Sequence, residues 1–220
     1  MAELVWDDTG ERFYETGINH GVLYVVDPTT GLYGNGVAWN GLISVSEKPS
    51  GAEPTPLYAD NIKYLTLVSA EEFGATIEAY TYPDEFAECD GSYESSDGLF
   101  IGQQTRKKFG LVYKTLMGND VAGNSFGYKL HIIYGALAAP SEKSYSTIND
   151  SPEAITFSWE ITTSPVEITG FLPAAMLVID STKADPTQLA TLEGTLFGTY
   201  LSDPVLPSPD EIIIALAEGA

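Results

Sequence analysis

Few residues in this chain are of types that do chemistry. There is one cysteine, Cys89, and there are two histidines, His20 and His131. A zinc site needs three or four Cys, His or carboxylate ligands at suitable spacing, and neither histidine has a cysteine or carboxylate at that spacing. His20 lies in "TGINHGV", a loop or strand start. His131 lies inside the apolar run "KLHIIYG", where a packed structural histidine is expected. No P-loop or dinucleotide-binding fingerprint is present, and "GLYGNG" reads as a turn cluster. Paired carboxylates remain. A glycosidase sets two acids across a cleft and raises the pKa of one. Glu78 in "TIEAY" and Glu160 in "SWEIT" are the acids most clearly placed mid-strand. In an enzyme they would be acid and base; on a half-buried sheet they are its wet face. With 31 acids in the chain, abundance decides nothing, and the wet face is expected. No catalytic residue, cofactor or metal is expected.

The charge is lopsided. Ten bases against 31 acids give a net charge of −21. Such a surface repels nucleic acid, whose duplex carries one negative charge per ~1.7 Å, although strong charge also simply keeps a protein soluble. The one basic cluster, Arg106, Lys107 and Lys108 in "TRKKFG", is too small for a nucleic-acid patch and is expected to meet an acidic neighbour, including another copy of the chain. A single cysteine excludes an intrachain disulfide. The start "MAELVWDDTGERFYETG" lacks the basic and apolar regions of a signal peptide. The longest apolar run, "FLPAAMLVI", is about half a membrane span, so no membrane insertion is expected.

The elements that must position these residues read as strands. "GVLYVV", "NIKYLTLVS", "GATIEAYTY", and a hairpin of "KFGLVYKTLMGND" with "NSFGYKLHIIYGALA" are separated by turn signals. "VAWNGLISVSEK" places Val37, Trp39, Ile43 and Val45 on one face. "AITFSWEITT" points Ile155, Phe157, Trp159 and Ile161 inward and Thr156, Ser158, Glu160 and Thr162 outward. "AAMLVID" reads as a more fully buried strand, and "PDEFAECDGS" as a short helical or irregular piece. One helix is well signalled: Asp185 as N-cap, Pro186 at its first position, Leu189, Leu192, Leu196 and Phe197 as its stripe, and Gly198 as its stop. A proline-rich connector and an apolar tail follow. No repeat or linker is evident. The expected architecture is all-β or α+β: one mostly antiparallel β-sandwich with one or two peripheral helices.

Between the strands "GLISVSEK" and "NIKYLTLV" lies an arm, 49–60, with Pro49, Pro54 and Pro56 and, at its far end, Leu57 and Tyr58. A hairpin needs only two to five turn residues. Ordering a longer arm costs ~1–2 kcal/mol per residue of backbone entropy, so it makes sense if a partner buries it. The N-terminal arm, 1–20, and the apolar C-terminal stretch pose the same problem.

The stretches "GVAWNGLISVSEKPSGAEPTPLYADNIKYL", "FGATIEAYTYPDEFAECDGS", "GLFIGQQTRKKFGLVYKT" and "GYKLHIIYGALAAPSEKSYSTINDSPEAITFSWEITTSP" together resemble the major tail (tail tube) protein of long, flexible-tailed bacteriophages of the siphophage type. The resemblance runs from about Leu4 to Phe197, and the remainder is similar to a variable C-terminal end of that family. It implies a tail tube domain over 1–200 and a C-terminal extension over 201–220. It further implies six subunits closing a ring, with inner strands joined into one β-barrel and rings stacked into a tube through which DNA passes to the host. The partners implied are other copies of the chain and tape-measure, tail-tip and tail-terminator proteins. The location implied is the virion, after synthesis in the host cytoplasm. Pro49, Pro54, Pro56, Leu57, Tyr58, Arg106, Lys107 and Lys108 would then be inter-subunit contacts. Glu78, Glu160 and Glu47 would be lumen-facing acids that keep DNA from sticking, with Lys129 weakening that field if it lines the same surface. A different reading is a virion-displayed carbohydrate-binding β-sandwich, in which Trp39, Trp159 and tyrosines would stack on sugars.

Overall fold

The computed structural model describes residues 4–148, 150 and 154–217. In chain order its elements are β1 (Phe13–Val25), β2 (Val37–Trp39), β3 (Leu42–Glu47), β4 (Ser50–Gly51), β5 (Pro54–Ala59), β6 (Ile62–Val68), β7 (Glu71–Glu72) and β8 (Gly74–Ala79). After these come α1 (Phe86–Cys89), β9 (Tyr93–Ser96), β10 (Leu99–Ile101), β11 (Phe109–Asn119), β12 (Gly123–Ala138), β13 (Phe157–Thr163), β14 (Met176–Asp180), α2 (Pro186–Phe197) and α3 (Pro209–Ala217).

Eight strands form one antiparallel sheet in the order β2-β1-β11-β12-β13-β8-β3, with β14 also paired to β12. It is not closed into a barrel. The sheet bends at Gly135. Up to Ile133, β12 pairs with Met176 and its neighbours on β14; from Ala136 it pairs with Thr163 on β13. Gly135 sits at φ +59, and a Cβ there would lie 2.5 Å from the Ser164 carbonyl oxygen, so only glycine fits. Its N–H donates to the Tyr33 hydroxyl at 2.9 Å and its carbonyl accepts from Ser164 N–H, which satisfies the bulge.

The bend creates two layers with a core between them. Leu23, Leu111 and Ile133 from one layer meet Ile77, Trp159 and Ile161 from the other, with Trp39 and Phe86 filling the gap. The opposite face of β1, β11 and β12 is also covered: Val22, Tyr24, Val112, Ile132 and Tyr134 pack under Leu189, Leu192 and Leu196 of α2 and Ile212 of α3. Burial on both faces explains why "GLVY" and "LHIIY" are continuous apolar runs without alternation.

Asp185 caps α2 by accepting from the Thr187 and Gln188 N–H groups, Pro186 stands at its start, and Gly198 closes it at φ +76. The C-terminal helix α3 is built on a reciprocal capping box. Ser208 N–H donates to the Glu211 carboxylate, and Glu211 N–H donates back to the Ser208 hydroxyl. The connector is docked on the body: Leu206 is buried, and Tyr134 donates its hydroxyl to the Pro207 carbonyl.

Some local expectations are corrected. "VAWNGLISVSEK" is two strands broken at Asn40-Gly41, and a bulge after Leu42 turns Leu42 to the core beside Val45, where Ile43 was expected. "AAMLVID" is bridged to Val166 at Ala174 and then pairs with β12 as an edge strand, with Val178 exposed. β1 starts at Phe13, so only 4–12 of the described N-terminal residues precede the sheet. "NIKYLTLV" leaves the body altogether, as described below.

Candidate assembly surfaces

The residues of chemical type are mostly committed to the fold. His131 is buried, stacked on Tyr113 with ring centroids 4.7 Å apart, and its Nε2 lies 2.9 Å from the Thr115 hydroxyl. Burial lowers its pKa, against the pull of the Glu47 and Glu15 carboxylates, so the ring is held neutral at pH 7. His20 stands exposed at φ +52 where β1 shifts register against β11, with Nδ1 2.8 Å from the Asn19 side-chain oxygen. Cys89 is fully buried. Burial, reinforced by Glu88, pushes its thiol up to about 12, far from a reactive thiolate. The string Gly123-Asn124-Ser125-Phe126-Gly127 has G-x-S-x-G spacing, which sequence reading passed over. It opens β12 beyond a hairpin turn and forms no strand-to-helix elbow.

Glu78 and Glu160 lie on the outer face of the β13-β8-β3 layer. Their cross-strand neighbours are Ser44 and Ser158 for Glu78, and Thr76 for Glu160. The Ser44 hydroxyl donates to Glu78 at 2.9 Å, and Lys48 reaches Glu160 at 3.4 Å. The face is a flat field of hydroxyls and carboxylates, and neither acid borders the main clefts. Glu47 is on the other side. It pairs with Ala75, whose side chain is in the core, and its carboxylate accepts from the Tyr113 hydroxyl and lies 3.6 Å from His131 Nδ1. Plain alternation is the reason: Glu47 stands two residues after Val45, which packs on the core. Lys129 is paired with Glu15 of β1 and has the alternation phase of His131, so it does not join Glu78 and Glu160.

Two of the three clustered cations meet acids of their own chain, and the third meets a hydroxyl. Arg106 reaches Asp90 and the Ala138 carbonyl, Lys107 pairs with Glu88, and Lys108 donates to the Ser164 hydroxyl at 2.9 Å. Asp90 is buried and also accepts from the Trp159 indole at 3.1 Å and from Lys143, so α1 is tied to β13 and to the loop after β12. Arg106 and Lys107 thus form an internal clasp, while Lys108 stays exposed beside Ser164.

The arm is larger than 49–60. β5 and β6 form a two-stranded hairpin whose turn residues, Asp60 and Asn61, both have positive φ (51° and 61°), the geometry of a type I′ turn. β4 and β7 clasp its stem. There Gly51, at φ +79, passes so near the strand opposite that a Cβ would lie 2.5 Å from the Ala70 carbonyl. "NIKYLTLV" is thus the returning half of the arm. Every residue of β5 and β6 is exposed, including Tyr58 at 72%, Ile62 at 63% and Tyr64 at 68%. Leu57 and Leu65 pair on one face beside Leu67; Val68 shares the other with Pro54 and Pro56. A second hairpin, β9 with β10, also projects, exposing Tyr93, Leu99, Phe100 and Ile101. Trp39 and Trp159, by contrast, are buried at 3% and 0%, so no sugar-stacking platform forms from them.

Comparison by sequence finds no matching family model and no matching curated protein. Among solved structures, the fold is similar to a chain of an extracellular contractile injection system, the PVC sheath-tube complex in its extended state. That likeness has 11% identity and a TM-score of 0.31, covering 80% of this chain and 93% of the other. A chain of the sheath/tube terminator of the same system gives 11% identity and a TM-score of 0.29, covering 80% of this chain and 99% of the other. At these scores the likenesses carry no argument about function.

Proposed function

We propose that this chain is a structural subunit that assembles with copies of itself into a phage tail tube, as stacked hexameric rings around a channel for DNA. One observation carries the reading: a hairpin of thirteen paired-strand residues, β5 and β6, stands clear of the body with apolar side chains on both faces. An isolated two-stranded hairpin is marginal in water, and exposed apolar patches mark interaction sites. The sequence resemblance to the siphophage major tail protein agrees with that requirement. In this reading the outer face of β13-β8-β3, with Glu78 and Glu160, lines the lumen and repels duplex phosphates. Glu47 lies on the opposite face and is left out of that lining. Assembly onto a tail tip, around a tape measure and up to a terminator belongs to the same proposal, as does residence in the virion.

The test is negative-stain electron microscopy of the purified chain at low and high salt, since salt screens the −21 charge that opposes association. Hollow tubes or six-fold rings are the expected result. Monomers at every salt and protein concentration would overturn self-assembly by this chain alone.

A further inference from the structure

The arm leaves and re-enters the body at one end of β8, where Lys48 N–H donates to the Gly74 carbonyl at 2.7 Å. The other end of β8, at Ala79, leads into α1. Six strand residues at ~3.3 Å each put these ends ~20 Å apart. Beside α1 lies a groove of about 610 Å³, between the end of β1, the start of β2 and the projecting β9–β10 hairpin. Val25, Val37, Tyr93 and Phe100 contribute apolar lining. The rim is acidic: Asp27, Asp84, Glu85 and Glu94 border the groove, and among the described residues none of the four is ion-paired. Lys107, the one cation at the groove, is already held by Glu88.

The arm carries both signs at its tip, the cation Lys63 and, in the turn, Asp60. Its two strands carry a single cation, Lys63, among Tyr58, Ile62, Tyr64 and Leu65. Lys63 is exposed and, among the described residues, makes no ion pair. We infer that this groove receives the arm tip of a second copy of the chain, with Lys63 set against the Glu85–Glu94 rim and the arm's apolar side chains on the groove lining. Donor and acceptor stand at opposite ends of β8, so the contact is heterologous: each copy gives an arm at one end and takes one at the other. A heterologous contact closes a ring or repeats along an axis, and in this inference it is the one that stacks ring on ring. The inference rests on the self-assembly reading and adds to it the acceptor surface and the polarity of stacking.

The experiment uses full-length chains and two readouts. In the first, one preparation carrying Lys63→Cys and a differently tagged one carrying Glu85→Cys are mixed with a short bis-maleimide, with Lys63→Cys plus Thr182→Cys as the control pair. The native Cys89 is fully buried and stays silent. A crosslinked dimer from the 63/85 pair, at least tenfold above the control, is expected. In the second, the concentration needed for assembly is measured for wild type, Lys63→Glu, the Glu85→Lys/Glu94→Lys pair, and the combined charge swap. Each single-sided change is expected to raise it at least tenfold, and the swap to restore it. Wild type that assembles while all three variants assemble equally well, with no 63/85 crosslink, overturns the acceptor groove and leaves self-assembly standing. Wild type that neither assembles nor crosslinks overturns both.

Discussion

Removing the arm separates its two possible roles, support of the body or contact with another copy. Ser50 and Glu72 are paired across β4 and β7, so deleting 51–71 and joining these residues through Asn-Gly closes the gap with a two-residue hairpin turn. A cut limited to 49–60 would strip β6 of its only strand partner and is the wrong excision. No residue of β5 or β6 belongs to either core, and shortening a loop changes closure entropy by ~0.6 kcal/mol per halving of its length. Going from 21 residues to two is a little over three halvings, so body stability should rise by no more than ~2 kcal/mol, which is about 4–8 °C in Tm at this chain length. The loss to assembly is far larger. The seven large apolar residues of the arm, from Leu57 to Val68, together expose the equivalent of about four whole side chains. Burying these at ~1.5–3 kcal/mol each offers ~6–12 kcal/mol per arm before the entropy of docking. Calorimetry of the deletion variant, with electron microscopy or sedimentation of the same sample, reads both numbers. A Tm drop beyond 10 °C would mean the arm packs on its own body, and tubes of normal length would mean it connects nothing; either result refutes the reasoning.

Asp90→Ala leaves the buried Trp159 indole without its acceptor and Arg106 and Lys143 without their carboxylate. A loss of ~3–5 kcal/mol is expected in denaturant unfolding, and a loss under 1 kcal/mol would show the clasp to be ornamental. His131 makes stability pH-dependent in a defined window. The unfolded chain protonates this ring near pH 6.5, whereas burial holds it neutral to lower pH in the fold. The unfolded state therefore binds more protons there, and stability falls as pH drops below about 6.5 until the folded ring protonates as well. His131→Gln should flatten the curve between pH 5 and 7, and an unchanged slope would assign the dependence to other groups. Replacing both Glu78 and Glu160 with Lys should permit tubes yet slow DNA ejection by assembled phage; unchanged ejection would remove the lumen role of that face.

Local chemistry was legible in the chain wherever a short-range rule sufficed. Asp185-Pro186 and Gly198 fix the ends of α2, the alternation around Trp159 fixes the inward face of β13, and the turn between Asn119 and Gly123 fixes the longest hairpin. Even α3 had its signal, Ser208 followed three residues later by Glu211, although the surrounding prolines obscured it. Three features were decided only in three dimensions. A bulge after Leu42 sends Leu42 to the core in place of Ile43, and a single inserted residue leaves almost no trace in composition. Whether "NIKYLTLV" joins the body or the arm depends on which strand its backbone bonds to. Its β-prone sequence fits either, and the positive φ at Asp60 and Asn61 turns it back on β5. The partners of Arg106 and Lys107 come from α1, some sixteen to nineteen residues earlier, brought near by packing against Trp159. The sequence by itself determined strand content, the central hairpin and the capped helix, because these follow from neighbours within a turn or two. The tertiary structure alone decided which apolar surface remains uncovered, because burial is a property of the packed whole.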